Sequence, residues 1–151
     1  MNILFVCTGN TCRSPMAEAL MKEIAEEKGL DIKVKSAGTF ALDGQEASEE
    51  AIQVMEEEGI DISNHRANII HRNLVEEADL ILTMSRSHKQ QLLSKYDFIK
   101  GKVFTLKEYA HSREEDIEDP FGRGIEAYRL AKAEIKEALK KVAAKLEDGG
   151  R

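Results

Sequence analysis

The sequence predicts an α/β fold, a four-stranded parallel sheet with helices on both faces. Two observations predict it. Apolar runs of strand length alternate with longer stretches of helical periodicity, and the clearest runs, Ile3-Leu4-Phe5-Val6 and Leu80-Ile81-Leu82-Thr83-Met84, are apolar at nearly every position. Strands buried on both faces read that way, and alternation with helices implies parallel crossovers. The 151 residues make one domain, residues 1–151, large enough to bury a core.

Taken in order, strand one covers about residues 2–6. A helix follows from Pro15 to Lys28, with Met16, Leu20 and Ile24 on one face and Gly29 as its C-terminal stop. Ile32-Lys33-Val34 begins a second strand that ends at Ser36-Ala37-Gly38. Residues 39–46 form a loop, and Ala47 to Glu58 reads as a helix with Ile52 and Met55 inward, ended by Gly59. A short helix near Asn73–Ala78 leads into the apolar third strand. Ser85 to Tyr96 reads as a helix, Lys102–Leu106 as the fourth strand and 110–119 as a polar loop. The last helix spans about Gly124 to Leu146, its stripe formed by Tyr128, Ala131, Ile135, Leu139, Val142 and Leu146. Gly149-Gly150-Arg151 reads as a frayed end.

The chemistry concentrates between strand one and the first helix, in Cys7-Thr8-Gly9-Asn10-Thr11-Cys12-Arg13-Ser14. A strand, a tight loop and a helix N-terminus converge backbone N–H groups and the positive end of the helix dipole on one point, an anion site. This is the phosphate-binding loop after strand one. Cys7 stands where a thiolate is favoured. Arg13 can fork two phosphate oxygens, a geometry lysine cannot copy. Ser14 is placed to donate its hydroxyl to the sulfur. A nucleotide-binding Walker loop is excluded, since no Gly-Lys-Ser/Thr closes the motif. In parallel sheets ligands sit at the carboxyl ends of the strands, which is where this loop lies.

Phosphoryl transfer through cysteine also needs an acid for the leaving group and a base for water. One carboxylate can serve as both. Asp119 is the best placed, because Pro120 biases it toward an extended backbone. On spacing alone Asp116 and Glu118 are equal rivals. No metal or organic cofactor is required by this chemistry, and the four scattered histidines and two cysteines form no four-ligand cluster.

Composition narrows the setting. A net charge of −6 argues against nucleic-acid binding, so positive potential at the loop must be local. No run has the length of a membrane span, and no basic-then-apolar leader opens the chain. Two cysteines outside any disulfide framework suit a reducing cytoplasm.

The chain resembles the low-molecular-weight protein tyrosine phosphatase family over essentially its full length. The resemblance rests on the Cys7-to-Ser14 loop with Pro15, on Ser36-Ala37-Gly38-Thr39, on His65-Arg66-Ala67 and on Asp119-Pro120. It implies a four-stranded parallel sheet, Cys7 as nucleophile, Arg13 as phosphate binder and Asp119 as acid and then base. Thr8, Gly9, Asn10, Thr11, Cys12 and Ser14 would surround the phosphoryl group. Asn10 would hold strained loop backbone, with Ser14, Ser36 and His65 in a supporting hydrogen-bond network.

Two departures bear on substrate. Thr11 stands where Ile or Leu is common, and Phe121 where eukaryotic members usually have Tyr. Both the loop and Lys102–Tyr109 resemble the bacterial protein-arginine phosphatase branch. A shorter, hydroxyl-bearing Thr11 suits a polar guanidinium better than a phenyl ring, with Phe121, or more weakly Phe40, as the apolar wall. The expected activity is hydrolysis of phosphoarginine in proteins, with phosphotyrosine as the alternative, by a monomer linked to the stress response. An arsenate reductase needs resolving cysteines after Cys12, and none exists. A silent phosphate-binding module would be expected to lose the nucleophile, arginine or acid. Redox sensing through a Cys7–Cys12 disulfide remains a secondary expectation.

Overall fold

The computed structural model describes residues 1–149, and the element order is that of an α/β sandwich. The strands are β1 (Asn2–Cys7), β2 (Lys33–Gly38), β3 (Leu80–Thr83) and β4 (Val103–Thr105). They form one parallel sheet in the order β2-β1-β3-β4. The chain runs from β1 outward to β2 and returns to the other side of β1 for β3. The carboxyl end of β1 is therefore the switch point of the sheet, and the Cys7 loop leaves from it.

Side chains alternate across β1, and two apolar layers result. Ile3, Phe5 and Cys7 join Leu80 and Leu82 against α1 (Arg13–Lys28), α2 (Glu49–Glu56), α5 (Leu106–His111) and α6 (Ile125–Glu147). Leu4 and Val6 join Ile81 and Val103 against α3 (Arg72–Glu77) and α4 (Arg86–Lys95). Helices cover both faces, as the alternation required. The expected stripe of α6 is buried from Tyr128 to Val142, with Leu146 half-buried.

The boundaries shift for local reasons. Helix α1 starts at Arg13, two residues before Pro15. Pro15 is tolerated inside the first turn because N–H groups there have no intrahelical acceptor. Ser48 caps α2 by accepting from the Ala51 N–H at 3.3 Å, so the helix begins at Glu49. Met55 is buried in α2 and Ile52, half-buried, packs against the same core, the expected inward pair, with Val54 also buried beside them. The fourth strand is shorter than Lys102–Leu106, and Leu106–His111 forms a helix instead of strand end and loop. Its signal was present as a capping box, Thr105 with Glu108, each side chain bonded to the other's backbone N–H. A single 3₁₀ turn at Asp97–Ile99 also follows α4. The expected frayed end lies, Gly149 apart, outside the described residues. No described helix is long and apolar enough to cross a membrane.

Leu139 of α6 is fully buried in the larger layer. Leu139→Ala is expected to cost about 2–5 kcal/mol, read as a lower denaturation midpoint in urea at unchanged slope. A loss below about 1 kcal/mol would mean that α6 does not close the core.

Candidate active site

A cavity of about 260 Å³ opens at the carboxyl end of β1, lined by Cys7, Thr8, Gly9, Thr11, Cys12, Arg13, Gln45, Asp119 and Phe121. Cys7 ends the strand and is 3 % exposed. The next helix begins at Arg13, so its free N–H groups face the loop. Between them the backbone turns through Asn10, at φ 56°, a left-handed conformation that asparagine tolerates better than most residues.

The Asn10 amide is fully used. Its Nδ2 donates to Ser14 Oγ at 2.8 Å and to Ser36 Oγ at 2.9 Å, and its Oδ1 accepts the Asn68 N–H at 2.9 Å. Ser36 then donates to Glu18 at 2.5 Å. Ser14, having accepted from Asn10, keeps its proton for the Cys7 sulfur, 2.9 Å away. His65 Nε2 lies 2.8 Å from the Asn10 carbonyl oxygen, and that nitrogen carries the proton because a carbonyl can only accept. The expected network of Asn10, Ser14, Ser36 and His65 is therefore in place. The side chains of Asn10 and Ser14 belong to it and not to the cavity wall, where both had been expected around the substrate.

Arg13 is 5 % exposed and donates to the Ile117 carbonyl at 2.7 Å. Ile117 in turn donates its N–H to Met84 at the end of β3, at 2.7 Å. That tether brings the following residues over the cavity, and Asp119 Oδ2 lies 3.9 Å from Arg13. Phe121 donates its N–H to Asp119 Oδ1 at 3.1 Å, fixing the carboxylate's direction. The rivals lie elsewhere. Asp116 accepts from the backbone and side chain of Arg86, and Glu118 pairs with Arg123. Of the two candidate aromatic walls, Phe121 lines the cavity; Phe40 borders a separate hollow near Leu92.

Cys12 turns its sulfur toward the Tyr128 hydroxyl at 3.2 Å and Ser48 at 3.5 Å. Burial, with the Cys12 contact second, pushes the Tyr128 phenol above its ordinary range. A larger groove, about 740 Å³, lies behind the loop and shares Ser36 and His65 with the network, but holds none of Cys7, Arg13 or Asp119. Among the described residues no group of three or more His, Cys, Asp or Glu side chains could hold a metal ion.

Sequence reasoning missed two residues. Gln45 reaches the cavity from the 39–46 loop, which carries no signal for it. His88 sits in the first turn of α4, with Nε2 2.8 Å from Thr8 Oγ1 and Nδ1 2.8 Å from Ser85 Oγ. Its position after a strand end, three residues beyond the capping Ser85, was the available signal. Burial, and secondarily the Arg13 charge, lowers the His88 pKa to about 4, against the opposing pull of Asp116 and Asp119.

Fold and loop together define a phosphatase of the small cysteine-dependent kind. The chain belongs to the low molecular weight phosphotyrosine protein phosphatase family, whose model matches residues 2–150. It is 46 % identical over 147 residues to a protein-arginine-phosphatase of Bacillus subtilis, covering 97 % of each chain. A solved structure described as the YwlE arginine phosphatase, a C7S mutant with a phosphorylated active site serine, superposes with a TM-score of 0.95. It is 44 % identical, with 97 % of this chain and 96 % of that one covered. A low molecular weight protein tyrosine phosphatase from T. tengcongensis gives a TM-score of 0.92 at 45 % identity, over 96 % and 99 % of the two chains.

Two outcomes are expected from this geometry. A Cβ on Gly38 would lie 2.4 Å from the Thr8 carbonyl oxygen and 2.9 Å from the Asn10 nitrogen. Gly38→Ala is therefore expected to displace the loop backbone, lowering phosphatase turnover far more than it lowers the melting temperature. Turnover equal to the wild type would show that the loop yields freely. His88 binds its proton more weakly folded than unfolded, so stability is full above pH 6.5 and falls as the pH drops toward about 4. Melting temperatures across that range should show a steeper decline for the wild type than for His88→Gln.

Proposed function

We propose that this chain is a single phosphatase domain, residues 1–151, that hydrolyses phosphoarginine in proteins through a phosphocysteine intermediate. Cys7, with the Ser14 hydroxyl on its sulfur, attacks phosphorus as the thiolate. Arg13 and the loop amides hold the phosphoryl oxygens, and Asp119 protonates the guanidino nitrogen as the P–N bond breaks. With the P–N electron pair and the Asp119 proton on that nitrogen, the arginine side chain leaves as guanidinium. Asp119, now a carboxylate, takes a proton from water attacking the S–P bond. Phosphate departs and the thiolate returns. The solved relative with phosphate on the serine replacing its cysteine supports such an intermediate.

The observation that carries the substrate is the composition of the cavity lining, which includes Thr11 and Phe121 together with Asp119. A flat guanidinium can lie on the exposed Phe121 ring, with Asp119 beside the nitrogen it protonates, while the Thr11 hydroxyl replaces apolar contact that a phenyl ring would use. The protein-arginine-phosphatase of Bacillus subtilis supports the same reading. The tyrosine phosphatase from T. tengcongensis, at nearly the same identity, keeps phosphotyrosine as the second reading. Both thiols are free, which supports action in a reducing compartment, the cytoplasm.

The test is phosphate release from matched phosphoarginine and phosphotyrosine peptides. The wild type should prefer phosphoarginine, and Cys7→Ser should release none. Asp119→Asn should lower kcat by about 10²–10⁴-fold. Thr11→Ile should move the preference toward phosphotyrosine, and an unchanged ratio would remove the argument from the cavity lining. Preference for phosphotyrosine in the wild type would retain the mechanism and discard the substrate.

A further inference from the structure

His88 has no part in the reaction above, yet both of its ring nitrogens are engaged and one of them reaches the phosphate loop. The side chain is 4 % exposed. Its protonation pattern follows from counting donors. Ser85 Oγ already accepts the His88 backbone N–H at 3.2 Å. If it also accepted from the ring, its own buried proton would need another acceptor, and the hydrogen bonds of Ser85 offer only the ring Nδ1. Ser85 therefore donates to Nδ1, and the ring's proton sits on Nε2, aimed at Thr8 Oγ1. Thr8 accepts it. The Thr8 hydroxyl proton is then turned away from His88, on a residue that lines the cavity beside Cys7 and Arg13.

Resting on the phosphatase reading of the Cys7 loop, we infer that His88 is a positioning residue: it holds the Thr8 hydroxyl so that its proton is presented to a phosphoryl oxygen of the substrate. The charged groups facing the ring are Arg13 from α1 and Asp116 and Asp119 from the loop after α5. On α4 itself, Arg86 is paired with Asp116, and Lys89 with Glu108 and Glu114. The burial that lowers the ring's pKa keeps it neutral at physiological pH, so the donor pattern holds under working conditions. The interaction adds a side-chain donor to the backbone donors of the loop, set by a strand-end helix that is distant in sequence.

Two conservative variants separate positioning from simple support. In His88→Asn the amide oxygen can occupy the place of Nδ1 and accept from Ser85, but the side chain cannot reach Thr8. In His88→Gln the amide nitrogen can occupy the place of Nε2 and still donate to Thr8. Steady-state kinetics of wild type, Thr8→Val, His88→Asn, His88→Gln and the Thr8→Val/His88→Asn double variant would be measured on a phosphoarginine peptide and on para-nitrophenyl phosphate. Thr8→Val and His88→Asn should each lower kcat roughly three- to tenfold, the scale of one neutral hydrogen bond. His88→Gln should recover most of that loss, and the double variant should be no slower than Thr8→Val alone. Wild-type kcat in His88→Asn, or losses that multiply in the double variant, would overturn the inference while leaving the phosphatase reading standing. A wild type with no Cys7-dependent turnover on either substrate would overturn both.

Discussion

The site depends on one constraint: a loop of seven residues must present its N–H groups to a single point, and that shape has no hydrogen-bond ladder of its own. Asn10 supplies what is missing. Its left-handed backbone makes the turn, and its amide spends every donor on Ser14 and Ser36 and its oxygen on the Asn68 N–H. A buried amide with all its partners is rigid because any rotation would leave a donor unsatisfied. The same bonds decide where the Ser14 proton goes, so loop shape and the hydrogen bond to the Cys7 sulfur are one arrangement.

The position of Asp119 is set by the same economy of backbone groups. The segment from Ser112 to Pro120 has no regular secondary structure, yet Ile117 is nearly inaccessible and is bonded at both its carbonyl and its N–H. One of those partners is Arg13 and the other is Met84, next to the Ser85 cap of α4. Asp116 adds a bond from the Arg86 backbone N–H. The loop is thus pinned two and three residues before Asp119, and the carboxylate arrives over the cavity without a helix or strand to carry it. Met84 and Ser85 also lead into His88, so the end of β3 supports both the arginine's anchor and the Thr8 hydroxyl.

Much of this was legible in the chain. Four strands and their order along the sequence followed from the apolar runs, and the loop declared itself because all its chemistry falls within eight consecutive residues. What misled were short elements. From sequence the α5 segment reads as strand end and loop because six residues carry too little periodicity, although its Thr105–Glu108 box is visible. In α2 the core takes Val54 and Met55 completely and Ile52 only in part, because Ile52 lies at the edge of the buried face.

The sequence by itself determined the sheet and the Cys7-to-Arg13 loop at its edge, since strand, loop and helix are contiguous and local sterics dictate their geometry. Only the tertiary structure shows Asp119 and Phe121 lining the cavity while Asp116, Glu118 and Phe40 lie elsewhere, brings Gln45 to the cavity, and sets His88 against Thr8. Those placements turn on contacts between residues tens of positions apart, made by the parallel crossovers and by single backbone hydrogen bonds such as Ile117 to Met84. Spacing along a chain holds no record of such contacts, because they form only when separate elements are packed against one sheet.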